Sequence, residues 1–242
     1  MCDKIELLIN SGDRIQGTTS NYTVQVRTDF IKLPNGKIPT KCKLKGVNFT
    51  NGMYNVNQYN NIITIFETTA SSNTVVTLPQ GQYNASQLAT QISSSFTASS
   101  QVSNTYTCTY NSQTYKLTIT ANTHTFAFVN TYILLGMMEE NSALSLIQTS
   151  YQAIKLLYDF LYVRCDLIGE IKNTSLINTP GSFIIPLLNI DLGTSGFIGR
   201  SQLPSIEHSF ISKPNAQITI YDQYGYNVNL NNADHQFILE LY

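Results

Sequence analysis

Apolar and polar residues alternate along most of the chain, and this period of two predicts β-strands. The first clear case is 22–27, where Tyr22, Val24 and Val26 alternate with polar residues. Similar alternation, or an apolar run of strand length, marks the segments 41–45, 61–67, 74–78, 160–168, 182–188, 205–212, 215–221 and 235–241. Eight or more strands at this spacing favour a sandwich or a barrel. A tight turn at 222–225 joins the last two strands, so we expect the chain to end in a hairpin.

One segment has helical spacing instead. Its apolar positions are Ala85, Leu88, Ala89, Ile92 and Phe96, which predict an amphipathic helix. A capping box marks the start of this helix, with Asn84 as the N-cap and Gln87 three residues later.

The segments 106–110 and 115–119 follow the helix and alternate like a β-hairpin. We therefore predict a small α+β subdomain over about 79–148, inserted into one larger strand framework that takes up the rest of 1–242. The segment 142–157 fits a helix or a strand equally well.

The composition agrees with a β-rich globular protein. Of the 242 residues, 42% are hydrophobic and only 12% are charged, which excludes a coiled coil and a chain kept disordered by its charge. The 14 Lys and Arg residues nearly balance the 15 Asp and Glu residues. A dedicated nucleic-acid binder carries a broad basic field. Nucleic acid is therefore not an expected partner.

The N-terminal segment and the cysteines bear on the compartment. Acidic Asp3 and Glu6 do not fit the basic start of a secretory signal, so we expect none. The most apolar run, 125–138, is shorter than the roughly 20 residues that span a bilayer, and we expect no membrane span. The cysteines are far apart in the sequence and are expected to be free thiols; they are Cys2, Cys42, Cys108 and Cys165.

The sequence contains no pattern that predicts catalysis or metal binding. His124, His208 and His235 each lack a second ligand at short spacing, and no GxSxG motif is present. The pair Glu139–Glu140 is interpreted as a solvated loop. The glycine-rich segment 192–200 lacks the GK[ST] ending of a phosphate-binding loop and is interpreted as a flexible loop. We therefore predict no catalytic, cofactor or metal site, and no enzyme.

Lysines form the one charge pattern of interest. Lys41, Lys43 and Lys45 would share one face of a strand, and Lys32 and Lys37 lie nearby. Such a strip could meet nucleic acid or an acidic neighbour. It could also be a solvated face whose lysines discourage edge-to-edge aggregation, and this second interpretation is favoured.

Several stretches in the same order resemble the penton proteins of virophages and of related polinton-like and large eukaryotic DNA viruses. They are LINSGDR at 8–14, VNFT at 47–50 with MYNVN at 53–57, LPQGQY at 78–83, and IYDQYG at 220–225 with HQF at 235–237. The resemblance implies a mainly β chain with a single jelly roll of two four-stranded antiparallel sheets. It also implies homopentamers at the fivefold vertices of an icosahedral capsid, and hence a location in the virion.

The resemblance suggests where the chain would contact its neighbours. We hypothesise that an N-terminal arm, 1–20, and the lysine strip contact adjoining capsid subunits. The candidate contact residues are Asp13, Arg14, Lys41, Lys43 and Lys45. The expected partners are other copies of the chain, major capsid subunits and a minor capsid or cement protein. Deleting the arm is expected to leave a folded protein that fails to enter shells.

Two other classes of function remain open. A receptor- or glycan-binding β-sandwich of a viral fibre or tail, or another minor capsid protein, would share this composition. The absence of Trp lowers the odds of a carbohydrate-binding module. An enzyme on a β-sandwich is the third class, and it would need ionisable groups that converge in a pocket.

Overall fold

The computed structural model describes residues 4–70, 72–138, 143–169, 182–187, 190–191 and 193–242. The chain divides into two compact units. Unit 1 contains the chain up to Met53 and from Tyr158 to Tyr242, and unit 2 is Tyr54–Leu157. Unit 2 is thus inserted in the sequence of unit 1. It extends beyond the predicted 79–148 at both ends, because the strands before the helix share the helix's core.

The described residues form strands and one α-helix. The strands are β1 (Ile5–Asn10), β2 (Arg14–Thr18), β3 (Asn21–Gln25), β4 (Lys41–Thr50), β5 (Ile62–Glu67), β6 (Thr74–Thr77), β7 (Tyr106–Asn111), β8 (Lys116–Ala121), β9 (Phe126–Phe128), β10 (Ile147–Thr149), β11 (Phe160–Cys165), β12 (Ser182–Pro186), β13 (Ser195–Gly199), β14 (His208–Ser209), β15 (Asn215–Tyr221) and β16 (Gln236–Leu241). The helix α1 is Ala85–Ser99, and single 3-10 turns are Ser11–Asp13, Thr28–Phe30 and Ile133–Leu135.

Unit 1 is a sandwich of two antiparallel sheets. Sheet A has the order β1-β16-β4-β13, with β14 also paired to β4, and sheet B has the order β12-β11-β15-β3-β2. Both sheets contribute to one apolar core, as Phe49 and Phe237 from sheet A and Tyr22 and Ile218 from sheet B illustrate. Within the part of the chain that the structure describes, each sheet has five strands, where the resemblance implied four. The long strand β4 accommodates β13 and β14 end to end along one side.

The predicted C-terminal hairpin is wrong, although its turn is correct. The Gly225 N–H donates to the Asp222 carbonyl at 3.0 Å, and Gly225 has a φ of 86°, which glycine adopts without strain. However, β15 belongs to sheet B and β16 belongs to sheet A. The connecting residues include buried Val228 and Leu230, which occupy the core as the chain crosses between the sheets.

The predicted N-terminal arm, 1–20, is also wrong for its described residues. All six residues of β1 pair with β16, and β2 pairs with β3. Ile9 and Ser11 are buried. The first strands are therefore integral parts of the two sheets, because their backbones pair with β16 and β3 and the side chains of Ile9 and Ser11 are buried.

Unit 2 packs α1 with two three-stranded sheets, β6-β5-β9 and β10-β8-β7. The capping box is confirmed: Asn84 Oδ1 accepts from the Gln87 N–H, and Gln87 Oε1 accepts from the Asn84 N–H, both at 2.9 Å. The apolar stripe of α1 is buried, and β7 and β8 form the predicted hairpin. The undecided segment 142–157 contains the strand β10.

The cysteines and the helix bear on the expectations of free thiols and of no membrane span. Cys42, Cys108 and Cys165 are free and buried, which confirms the prediction for these three; Cys2 lies outside the described residues. Burial raises the pKa of each of the three thiols to about 12, so they are protonated at neutral pH. No helix in the described ranges combines the length and the apolar character that crossing a membrane requires.

Candidate functional site

The lysine strip lies on the outer face of sheet A. Lys41, Lys43 and Lys45 alternate with buried Cys42 and Leu44 along β4, as predicted. However, β4 is a central strand, with β16 on one side and β13 and β14 on the other. The interpretation that these lysines protect a sheet edge is therefore wrong, since a central strand has no free edge.

Two carboxylates of the same chain pair with the three lysines of the strip and neutralise them in part. Lys41 Nζ lies 2.6 Å from Glu207 Oε1, and Lys43 Nζ lies 3.9 Å from Glu207 Oε2. The hydrogen bond from Lys41 is the main reason why the pKa of Glu207 is lowered. Lys45 forms an ion pair with Glu6. The strip is therefore a set of local ion pairs and not a bare basic surface.

A second group of ion pairs lies beside this strip. Lys4 Nζ is 2.7 Å from Glu240 Oε1, and Arg200 Nη1 is 3.9 Å from Glu240 Oε2. The hydrogen bond from Lys4 is the main cause of the lowered pKa of Glu240. Lys4 and Arg200 are about half exposed whereas the Glu240 side chain is only 12% exposed, so two surface cations share one nearly buried carboxylate.

An apolar patch occupies the middle of the same face. Leu8 lies opposite Ile238, which lies opposite Gly46, so the three form a row across β1, β16 and β4. The ring of Phe197 covers Gly46, where an added Cβ would lie 2.7 Å from Phe197 Cζ. Leu8 is 54% exposed and Phe197 is 59% exposed. We call Leu8, Gly46, Phe197 and Ile238 patch A.

The glycine-rich segment 192–200 builds part of this patch. The sequence predicts a flexible loop here, but 195–199 is the strand β13, paired with β4; Leu192 lies outside the described residues. The glycines permit close packing, because a Cβ at Gly196 would lie 3.1 Å from Ile190, and one at Gly199 would lie 3.3 Å from Phe197.

The outer face of sheet B carries a different apolar patch. Tyr162 lies between Ile184 on β12 and Tyr221 on β15, so these three also form a cross-strand row. The ring of Phe160 meets the ring of Tyr162 edge-on, with centroids 5.2 Å apart. All four side chains are partly exposed. We call Phe160, Tyr162, Ile184 and Tyr221 patch B.

Arg14 and Asp13 differ in their surroundings. Arg14 Nη1 donates to the Ser11 carbonyl at 2.8 Å and to Asp234 Oδ1 at 3.2 Å. It thus fixes the corner between β1 and β2 to the residues before β16. Asp13 is exposed at the end of the 3-10 turn. Contact of either residue with an adjoining subunit stays a prediction.

A groove crosses the end of sheet A next to patch A. It has a volume of about 470 Å³ and is lined by Asn10, Asn48, Phe49, Thr50, Ser195, Gly196, Phe197, Asp234, His235 and Gln236. Asn48 Nδ2 donates to Gln236 Oε1 at 2.8 Å, and the hydroxyls of Thr50 and Ser195 are also 2.8 Å apart. Amides and hydroxyls therefore line the groove together with the rings of Phe49 and Phe197, which make much of its surface apolar.

His235 is buried beneath this groove. Its Nε2 shares a hydrogen bond of 2.9 Å with the Tyr22 hydroxyl, and its ring packs against Phe237 at 4.9 Å between centroids. Burial lowers the pKa of His235 to about 4, with the nearby Asp234 carboxylate acting in the opposite direction. The imidazole is therefore neutral at pH 7 and joins β3 to the start of β16.

We expect this histidine to make unit 1 sensitive to acid. The unfolded chain binds a proton at His235 below the ordinary pKa of 6.5, whereas the folded chain does so only near pH 4. This difference lowers the free energy of unfolding by roughly 3 kcal/mol as the pH falls from 6.5 to 4, and changes nothing above pH 7. Urea unfolding at pH 7 and pH 4.5 measures it. In His235→Gln the loss between these pH values should shrink, and an unchanged loss would contradict the assignment.

The three histidines do not converge. His208 packs against the ring of Phe183 in unit 1, at 4.9 Å between centroids. His124 belongs to unit 2, where its backbone bonds to Asn104. Within the described ranges, no three His, Cys, Asp or Glu side chains are grouped as a metal site requires. Glu139–Glu140 lies outside the described residues.

The comparisons with known proteins bear on the whole chain. No protein-family model matches it, and no curated protein matches it. A crystal structure of the mavirus penton protein matches 98% of this chain and 98% of its own chain, with a TM-score of 0.54 and 12% sequence identity. The chain has the fold of that penton protein. This finding confirms the predicted mainly β, single jelly-roll sandwich with a small inserted α+β subdomain, and it confirms the resemblance to penton proteins at the level of the fold.

Sequence analysis missed Glu67, which is fully buried in unit 2. Burial alone would raise its pKa, but hydrogen bonds from Ser100, Thr74, Gln101 and Tyr106 outweigh this effect and lower the pKa below 4.5. The signal was available in the alternation of β5, because Glu67 follows Ile63 and Ile65 on the buried side of the strand. This carboxylate is held by its own chain.

Proposed function

We propose that the chain is a viral structural protein, a penton capsomer that forms homopentamers at the fivefold vertices of an icosahedral capsid. The observation that carries the proposal is the fold likeness to the mavirus penton protein over 98% of both chains, a match that includes the inserted unit. The two proteins therefore share the sandwich together with its inserted unit. A likeness between two unrelated sandwiches would not extend to the insertion.

The proposed role is geometric and does not involve catalysis. Five identical subunits close into a ring through a heterologous contact, in which one surface meets a different surface of the next copy. A formal net charge of −1 keeps the repulsion between five copies small. The outer surface of the ring would then meet major capsid subunits and a minor capsid or cement protein, and the protein would reside in the virion.

The oligomeric mass in solution tests this proposal. Light scattering of the purified protein should give about 135 kDa, which is five times the chain mass of 27.0 kDa. Negative-stain images should show fivefold rings. A protein that stays monomeric at high concentration would contradict the proposal.

A receptor- or glycan-binding module of a fibre or tail is the second candidate. The groove favours it, because amides, hydroxyls and the exposed ring of Phe197 are groups that bind neutral sugars. A trimeric mass together with sugar binding that Phe197→Ala abolishes would support this candidate over the penton.

A further inference from the structure

We propose that patch A of one subunit packs against patch B of the next subunit, and that this pairing closes the ring. The inference rests on the proposed function and adds the two surfaces that would carry it. Patch A lies on the outer face of sheet A, and patch B lies on the outer face of sheet B.

The chemistry of both patches is that of an interface core. Leu8 and Phe197 lie on the edge strands β1 and β13 of sheet A and are more than half exposed, and Ile238 and Gly46 connect them across the face. Patch B is built around Tyr162, whose ring and hydroxyl suit the centre of an interface. Fully burying an apolar side chain of this size contributes about 1.5–3 kcal/mol. Covering either patch with another apolar surface would therefore be favourable.

The arrangement of the patches indicates which partner covers them. They are not equivalent, and they lie on faces that point away from each other, because the two sheets share one core. A single docked partner would need only one such patch. A closed ring of identical subunits needs two different patches on every copy, one for each neighbour. The occupant of each patch is therefore a second copy of this chain.

The charges around the patches are compatible with this pairing. The carboxylates of Glu6, Glu207 and Glu240 on sheet A already pair with lysines of the same face. Positions beside patch B are the uncharged Gln217 and Thr219 on β15 and the exposed Arg164 on β11, which lies opposite Thr219. The three carboxylates of this face stay paired when the two surfaces meet, and the five cations around them leave the face with a net positive charge.

Two charged substitutions test the proposal, one in each patch. Phe197→Glu removes patch A, and Tyr162→Glu removes patch B. Each variant should lose the pentamer and sediment as a folded monomer. A mixture of equal amounts should form a heterodimer of about 54 kDa, twice 27.0 kDa, because each variant supplies one intact patch and the complex cannot grow.

Matched variants separate lost contact from lost folding. Phe197→Leu and Tyr162→Phe keep apolar side chains and should keep the pentamer. Asn35→Asp adds a charge in an exposed turn that belongs to neither patch and should also keep it. Circular-dichroism melting should show that both Glu variants are folded; if one is not, Phe197→Ser or Tyr162→Thr replaces it.

The outcomes distinguish this inference from the function on which it rests. A monomeric wild-type protein would overturn both. A pentameric wild type with pentameric Glu variants would overturn the pairing alone. Folded variants whose mixture stays monomeric, or reassembles into full rings, would show that patch A does not meet patch B.

Discussion

Removal of residues 1–20 is expected to unfold the sandwich of unit 1. The truncation deletes β1, which pairs along its whole length with β16, and β2, which pairs with β3. It also removes buried Ile9 and Ser11, whose hydroxyl donates to Asp234 and accepts from the His235 N–H. Domains are stable by only about 5–15 kcal/mol, so the loss of two strands exceeds the margin. Circular dichroism and size-exclusion chromatography of the truncated protein measure the effect.

Two point substitutions on β1 provide the control. Ile9→Ala should lower the free energy of unfolding by about 2–4 kcal/mol, because the side chain is 3% exposed and leaves a cavity. In the monomeric Phe197→Glu background, where patch A is uncovered, Leu8→Ala on the exposed side of the same strand should change it by no more than about 0.5 kcal/mol. A truncated protein that melts cooperatively at the wild-type temperature would show that the segment is an arm after all.

Local patterns predicted the elements well, because each depends on neighbours in sequence. The alternation around Tyr22 and the capping box of Asn84 and Gln87 are examples that the structure reproduces. Alternation specifies which side chains face the core but not which sheet a strand joins. For this reason β15 and β16 were placed together, whereas residues 226–235 carry the chain from sheet B to sheet A.

The candidate surfaces could not be predicted from the sequence, because the residues that form them are distant in the sequence. The common face of Lys41, Lys43 and Lys45 followed from their spacing, but their partner Glu207 is distant in sequence and its approach depends on β14 pairing with β4. Phe197 lies among glycines that normally indicate a loop. The exposed ring of Phe197 forms a patch only together with Gly46, which lies under the ring. The pairing of β13 with β4 brings the two residues together, and they are distant in the sequence.

In unit 2, replacement of Glu67 by Ala should lower the free energy of unfolding by about 3–4 kcal/mol. The carboxylate accepts from the Thr74 hydroxyl at 2.5 Å, the Ser100 hydroxyl at 2.6 Å and the Tyr106 hydroxyl at 2.9 Å. Without it, the buried hydroxyls of Thr74 and Tyr106 and the partly buried hydroxyl of Ser100 lose their acceptor. Hydrogen exchange resolved to β7 and β8 measures the effect in unit 2. Phe66→Ala, on the opposite side of the same strand and 39% exposed, is the matched control and should cost well under half as much.

The pH dependence of the same site provides an independent check. Because the folded pKa of Glu67 lies below its ordinary 4.5, its stabilisation is complete above pH 4.5 and is lost as the pH falls through the lowered pKa. Glu67→Gln removes this titration while keeping the size of the side chain. The wild type should therefore be more stable than Glu67→Gln at pH 7, and the difference should narrow in acid. A difference that stays constant from pH 7 to pH 3 would mean that folding does not shift the pKa of this carboxyl, which would contradict the stabilising role assigned to its hydrogen bonds.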